Sequence, residues 1–452
     1  MNNGNPKGLP SVQTILSKDV IAAPECLRLE APAQNLGMED VSIERYFSKE
    51  WHDREVEKVW RKTWQMACRV EEIPNVGDHV VYEIVHDSLI VVRSSPTEVR
   101  AYVNSCLHRG TQLRIEGGHV HQFKCPFHGF TWSLEGKLIG LPAAWDFPQI
   151  EQEKFCLPEA KVALWGGFVF INFDPHCEPL ESYLEILPEH FKAFKLEDRW
   201  KAVHVAKLMP CNWKLALEAF IESFHIAVTH PQTLAYVGDA NTQYDVFEPG
   251  RHVNRMITLE GVPSPMLNNM PPEITIEHMR RDLPFYGGKP IEIGTGETPR
   301  AKLAERAREK ISRSSGQDFS NLSDTESLDI IQYLLFPNLS PWGGQAVPLV
   351  YRFRPNGDNP EQSIMEIMLL FAKAADGSHP PPVAMTLLGI DDSWDLAPGL
   401  GSAAVVTNQD TANLKRIQCG LRASKKPGVT LSNYQESRIR HFHKTLDEYM
   451  SR

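Results

Sequence analysis

Apolar residues recur along this chain of 452 residues with two different periods. From Ser48 to Trp64 the residues Trp51, Val56, Val59, Trp60 and Trp64 return at helical spacing, which predicts a helix with a tryptophan-rich buried face. Three runs follow, His79–Val85, Ser88–Arg93 and Glu98–Asn104, rich in β-branched residues and parted by turn residues such as Asn75, Val76 and Gly77. They predict antiparallel strands, as do Phe130–Ser133, Lys137–Gly140 and Leu164–Phe173. Asp174, Pro175 and Pro179 then break the pattern. Beyond them come a short helix (Pro188–Trp200), a strand (Trp200–Met209) and a long helical stretch from Asn212 to Pro231. The interval 238–324 is rich in Pro and Gly and contains one charged helix, Pro299–Arg313, expected to be solvated over most of its surface. Strands resume at Asp329–Phe336, Val347–Arg354 and Ser363–Ala374, and helices at Asp410–Leu421 and Tyr434–Met450. The chain is therefore expected to contain an N-terminal arm (1–44) wrapping the surface, a small antiparallel β domain (45–175) and a larger α+β domain (176–452).

Composition narrows the partners. A formal net charge of -10 argues against nucleic acid and anionic membranes, both of which need clustered positive charge. Eight cysteines are too few for a disulfide scaffold of this length. The first residues carry no basic and apolar signal segment, and the longest apolar run, Val162–Phe173, is interrupted by Gly166 and Gly167. A cytoplasmic protein with no membrane partner is expected.

Chemistry concentrates at Cys106–His128. The order is Cys106-x-His108, a gap, then Cys125-x-x-His128, so each of two loops offers one thiolate and one imidazole. Such a set suits either a structural zinc or an iron–sulfur cluster. Zinc fingers usually pair two cysteines, then two histidines. One Cys and one His per loop matches a [2Fe–2S] cluster whose one iron has two sulfur ligands and the other two nitrogens. With Pro126, Phe127, Gly129 and Trp132 around it, the stretch resembles a Rieske motif.

A second ligand set lies downstream. Glu222 stands three residues before His225, a spacing that shares a helix face. His230 is five beyond His225 and would point elsewhere on a straight helix, but Pro231 pushes His230 out of the α region. A bend there would bring both imidazoles onto one metal. Two His and a carboxylate with open positions form the facial triad of non-haem Fe(II) oxygenases.

Together the motifs resemble the α subunits of Rieske non-haem iron oxygenases, the aromatic ring-hydroxylating oxygenases, over about Tyr46–Met450. The resemblance implies an N-terminal antiparallel β Rieske domain and a C-terminal helix-grip (START-like) catalytic domain with an antiparallel sheet and covering helices. It makes Cys106, His108, Cys125 and His128 cluster ligands and His225 and His230 ligands of a mononuclear Fe(II). The third ligand it implies is a carboxylate near the start of a C-terminal helix. Asp410 fits best, because Gln418, Gly420 and Leu421 follow as in the family, while Gln409 stands where Glu is usual. Asp391, Asp392 and Asp395 are rivals in a loop, and an N-cap or first-turn acid is the plain alternative for Asp410. Glu222 takes the place of a bridging acid, usually Asp, that in relatives contacts the second Rieske histidine of a neighbouring subunit, here His128. Ala219 departs from the family's common Asn.

The resemblance further implies a terminal oxygenase that activates O2 to hydroxylate, dihydroxylate or oxidatively demethylate a small aromatic or hydrophobic compound. It implies a homotrimer or α3β3 assembly. No G-x-G-x-x-G fingerprint and no plant-type ferredoxin run occur in the sequence, so NAD(P)H electrons would arrive through a separate reductase, with or without a ferredoxin. A Rieske electron carrier without oxygenase chemistry and a zinc-stabilised binding protein are the competing classes.

Overall fold

The computed structural model describes residues 9–32, 34–247, 250–267 and 269–452. The chain divides into two compact units: Asp53–Tyr183 with Asn356–Asp358, and Met1–His52 with Leu184–Pro355 and Asn359–Arg452.

The smaller unit is built on β1 (Gln65–Arg69), β2 (Asp78–Ile84), β3 (Asp87–Ser95), β4 (Glu98–Val103), β5 (Gly118–His119), β9 (Glu159–Trp165) and β10 (Phe168–Asn172), with β6 (Phe123–Lys124), β7 (Thr131–Trp132) and β8 (Leu138–Gly140) in a separate small sheet. The larger sheet runs in the order β1-β10-β9-β4-β3-β2-β5. Leu89–Val92 on β3 and Phe168–Ile171 on β10 are fully buried, which explains their unbroken apolar runs. The stretch Leu164–Phe173, expected as one strand, is a hairpin instead: Trp165 pairs with Phe168 around Gly166 and Gly167. Both glycines have positive φ, 58° and 77°, as a two-residue turn between twisted strands requires. Continuous hydrophobicity across the strand ends hides such a turn.

The larger unit carries an eight-stranded sheet. Its strands are β11 (Arg199–Met209), β12 (Val237–Val246), β13 (Val253–Glu260), β14 (Ile330–Leu335), β15 (Leu339–Pro341), β16 (Leu349–Asn356), β17 (Asn359–Ala372) and β18 (Thr386–Leu388), in the order β12-β13-β14-β15-β16-β17-β11-β18. The long pair β11/β17 is antiparallel, and β18 adds to β11 in parallel. The C-terminal helix Ser437–Ser451 buries Ile439, Phe442 and Leu446, and lays Arg438 against Asn254 on β13 and Gln332 on β14.

Two strands, β12 and β13, and the helix Pro272–Asp282 lie in or at the edge of the Pro- and Gly-rich interval 238–324, where the sequence marks one helix alone. Their hydrophobic signal is weak because buried positions are polar: Asn241, Thr242, Gln243 and Asp245 are all buried. Each finds a partner, as in the buried ion pair of Asp245 with Arg255 and the bond between Thr242 and Thr258. The N-terminal segment is tied to this unit: Arg255 donates to the carbonyls of Cys26 and Leu29, and Arg300 grips Asp19.

The stretch Asn212–Pro231 is not one helix. Asn212 Oδ1 caps a helix over Trp213–Glu218 by accepting from Lys214 N–H. The Phe220 and Ile221 amides then bond three residues back, tightening the last turn. The backbone leaves the helix, with Ser223 N–H donating to the Tyr244 hydroxyl, and a second short helix spans Ile226–Thr229. Asp410–Leu421 also divides, into Ala403–Ala412 and Leu414–Ala423 on either side of Asn413.

Candidate functional site

In the smaller unit, two loops of the same design hold the Cys/His set. Cys106 N–H donates to the carbonyl of Thr111 and Gly110 N–H to that of Cys106; Cys125 and Gly129 repeat this with Phe130 and Cys125. Gly110 and Gly129 sit at φ 78° and 79°, which lets each loop close. Both sulfurs are buried, and the His108 and His128 rings lie 4.7 Å apart between centroids. His108 stacks on Phe130 at 4.7 Å, and its Nδ1 is buried without a hydrogen-bond partner. An orphaned imidazole nitrogen beside two thiols is a donor set that fits a metal cluster. Burial and the neighbouring sulfur push the Cys106 thiol up. Burial pushes Cys125 up too, but amides of Phe127 and His128 hold it below the ordinary range.

In the larger unit, His225, His230 and Asp410 come together, with one ligand atom from each within 4.8 Å of the others. His230 Nε2 lies 2.6 Å and His225 Nε2 3.3 Å from Asp410 Oδ1. The opposite ring nitrogens are held. His225 Nδ1 is 2.6 Å from Glu222 Oε1, whose Oε2 also accepts from the His225 backbone N–H at 3.0 Å. His230 Nδ1 is 2.8 Å from Gln409 Oε1, an atom that also accepts from Gln232. Both imidazoles are thereby fixed with Nε2 aimed at a common centre, the usual arrangement of metal-binding histidines. Glu222 and His225 meet through the turn at 222–225, not along a helix face. His230 leaves the helix at φ -124°, before Pro231.

Asp410 is not a first-turn acid. It lies in the last turn of Ala403–Ala412, where the helix dipole disfavours negative charge. Burial pushes its carboxyl up, but the bonds to His225 and His230 hold it below the ordinary range. Burial pushes His225 down, and Asp410 and Glu222 more than reverse this, raising it to about 10. A buried carboxylate facing two imidazoles at a helix C-terminus is a place for a cation. Asp391, Asp392 and Asp395 stand apart from this cluster: Asp392 accepts from Gly389 N–H and Asp395 bonds Ser393 and Asn408.

A cavity of about 290 Å³ opens beside the triad, lined among others by Tyr46, Glu218, Glu222, His225, Asp410 and Ile439. Glu218 is fixed there by the Tyr46 hydroxyl and by His443 Nε2 at 2.9 Å. Gln409, Glu218 and His443 are site residues that sequence reasoning did not assign roles. Adjacency to Asp410 was the one signal for Gln409; His443 gave none.

The fold and the two donor sets define a two-centre iron protein, with a Rieske unit and a unit that holds a two-histidine-one-carboxylate site. The comparisons agree. The model of the ring hydroxylating alpha subunit catalytic domain matches residues 190–452, and that of the Rieske [2Fe-2S] domain matches 63–151. The chain belongs to the ring-hydroxylating alpha subunit family. It is similar to the biphenyl 2,3-dioxygenase alpha subunit of Rhodococcus jostii (strain RHA1), 29% identical over 41% of each chain. It is also similar to the carnitine monooxygenase oxygenase subunit of Escherichia coli (strain K12), 30% identical over 41% of this chain and 50% of that one. The match thus spans half or less of either relative. Among solved structures, a quaternary ammonium Rieske monooxygenase superposes with a TM-score of 0.66 at 17% identity, covering 92% of this chain and 97% of that one. Naphthalene 1,2-dioxygenase from Rhodococcus sp. gives 0.59 at 22% identity, covering 91% and 94%. These last two establish shared architecture.

Proposed function

We propose that the chain is the terminal oxygenase component of a multicomponent Rieske oxygenase, with Cys106, His108, Cys125 and His128 holding the [2Fe–2S] cluster and His225, His230 and Asp410 the Fe(II). The observation that carries this is the convergence of His225, His230 and Asp410 in a chain that also bears the paired Cys/His loops. When bound, the iron supplies open coordination positions for reducing O2, and the cluster supplies further electrons. Glu222 and Gln409 keep a proton on Nδ1 of His225 and His230, leaving Nε2 free to bind. The rings of Phe220, Tyr351 and Phe353 pack on one another at 5.2 to 6.1 Å, an apolar patch against which a hydrophobic substrate would lie.

The names of the relatives support two substrate classes, small aromatic compounds and quaternary ammonium compounds. Electrons come from NAD(P)H through a separate reductase, with or without a ferredoxin. Exposed Phe127 and Trp145 on the smaller unit and Phe224 and Val228 on the larger favour a subunit assembly, a homotrimer or α3β3, in which Glu222 bridges to a neighbour's His128. Iron analysis with replacement of His225 tests the function. His225→Ala is expected to lose the single triad iron, keep the cluster's visible and low-temperature EPR signals, and form no oxygenated product. Unchanged product formation would overturn the assignment.

A further inference from the structure

The inner face of the large sheet carries polar groups that a purely hydrocarbon pocket does not need. Met256 on β13 pairs with Gln332 on β14, and Gln332 bridges to Trp342. Residues directly opposite in antiparallel pairs share a face. That face looks toward the ligand-bearing segment, because Ser223 Oγ bonds Met256 Sδ, and Phe220 packs on Tyr351 and Phe353. Along it runs a row of buried donors without acceptors: Arg438 Nη2, Gln332 Nε2 and Trp342 Nε1. The row is contiguous. Arg438 Nη1 donates to Gln332 Oε1 at 2.8 Å, Gln332 lies across from Trp342, and the Trp342 and Tyr351 rings are 5.7 Å apart in an edge-on contact. Tyr351 in turn lies in the field of the Asp410 carboxylate.

Arg438 is fully buried, and its guanidinium meets only neutral acceptors, the Asn254 and Gln332 amides and the Ile221 carbonyl, among the described residues. Buried cations normally sit beside a carboxylate. Here burial pushes the Arg438 guanidinium down to about 9, outweighing Tyr244 and Asp245, which act on it in the upward direction without bonding it.

We propose that this row is a subsite for a substrate carboxylate, with the Trp342 indole N–H, the Gln332 amide N–H and the Arg438 guanidinium as its donors. The proposal rests on the oxygenase reading and narrows its substrate class. The apolar body of the substrate lies along Phe220, Tyr351 and Phe353, and the charged end sits on the row. A bare hydrocarbon leaves all three donors unmet, which disfavours it.

The test uses the full-length, iron-loaded protein without reductant, titrated by saturation-transfer NMR. Benzoate, naphthoate and gamma-butyrobetaine are compared with toluene, methylnaphthalene and butyltrimethylammonium. At least one carboxylate should bind about tenfold more tightly than its counterpart. Trp342→Phe, which removes the N–H and keeps the ring, should erase most of that preference. Gln332→Glu, which gives Arg438 an internal partner, should erase it independently. Equal binding of every pair, or a preference untouched by both variants, overturns the subsite. In a separate turnover assay with a surrogate reductase and NADH, a protein that binds carboxylates yet consumes no O2 overturns the oxygenase reading alone. One that oxidises only carboxylate-free compounds overturns the subsite alone.

Discussion

Gln409 shows how one atom sets the character of the triad. Its Oε1 accepts from His230 Nδ1, which turns Nε2 of the ring toward Asp410. An amide in this place is a weaker acceptor than a carboxylate and adds no charge to an already acidic site. Gln409→Leu is expected to weaken iron binding by about 10- to 100-fold, the range for losing a partner of a metal-bound histidine. Gln409→Glu should restore binding or tighten it. Competition of each variant against a chelator, followed by the iron signal, measures this. Of the site, chemistry and spacing single out the Cys/His loops and the pair His225 and His230, while Asp410 comes only from the family resemblance. Glu218 and His443 are invisible there, because 225 residues separate them and only the fold joins them.

Local backbone chemistry decides where elements stop. The Trp213–Glu218 helix ends because tightened amides and the Tyr244 hydroxyl draw the chain aside, and that departure lets His225 and His230 converge. Proline at 231 was a legible cause of the second break; the first had no sequence marker. The β9/β10 hairpin depends on glycine more strictly. A Cβ on Gly167 would come within 2.6 Å of the Arg69 guanidinium, at a φ of 77° that side chains rarely adopt. Gly167→Ala should cost about 1–3 kcal/mol of stability, read as a lower thermal midpoint for the smaller unit, while Glu98→Ala, at the exposed start of β4, should change little.

At the scale of the whole chain, burial of neutral histidines governs acid stability. His190 and His441 are buried, and burial chiefly lowers each from 6.5 to about 4, with Arg255 adding to it at His190 and Glu185 opposing it at His441. Unfolding frees each ring to bind a proton at 6.5, so the unfolded state binds more protons between these values. Stability should be intact above 6.5, fall as the pH drops toward 4, and level below that, by as much as roughly 3 kcal/mol for each ring. His441→Gln keeps an acceptor for the Asn254 amide and should flatten the decline in melting temperature with pH. No helix of the described residues is long and apolar enough to cross a membrane.

The sequence by itself determined the two ligand sets, the antiparallel β unit around the first and the α+β class of the second. Cys and His spacing and period-two runs are local properties that survive without a fold. Tertiary structure decided the rest. It built β12 and β13 from polar residues stabilised by partners such as Arg255, directly across the pair from Asp245, and Gln13, far away in the chain. It moved Asp410 from an expected helix start to a helix end, where only the imidazoles facing it keep the carboxylate ionised. It also set a guanidinium, an amide and an indole in one buried row, a pattern that exists only once three separate segments pack together.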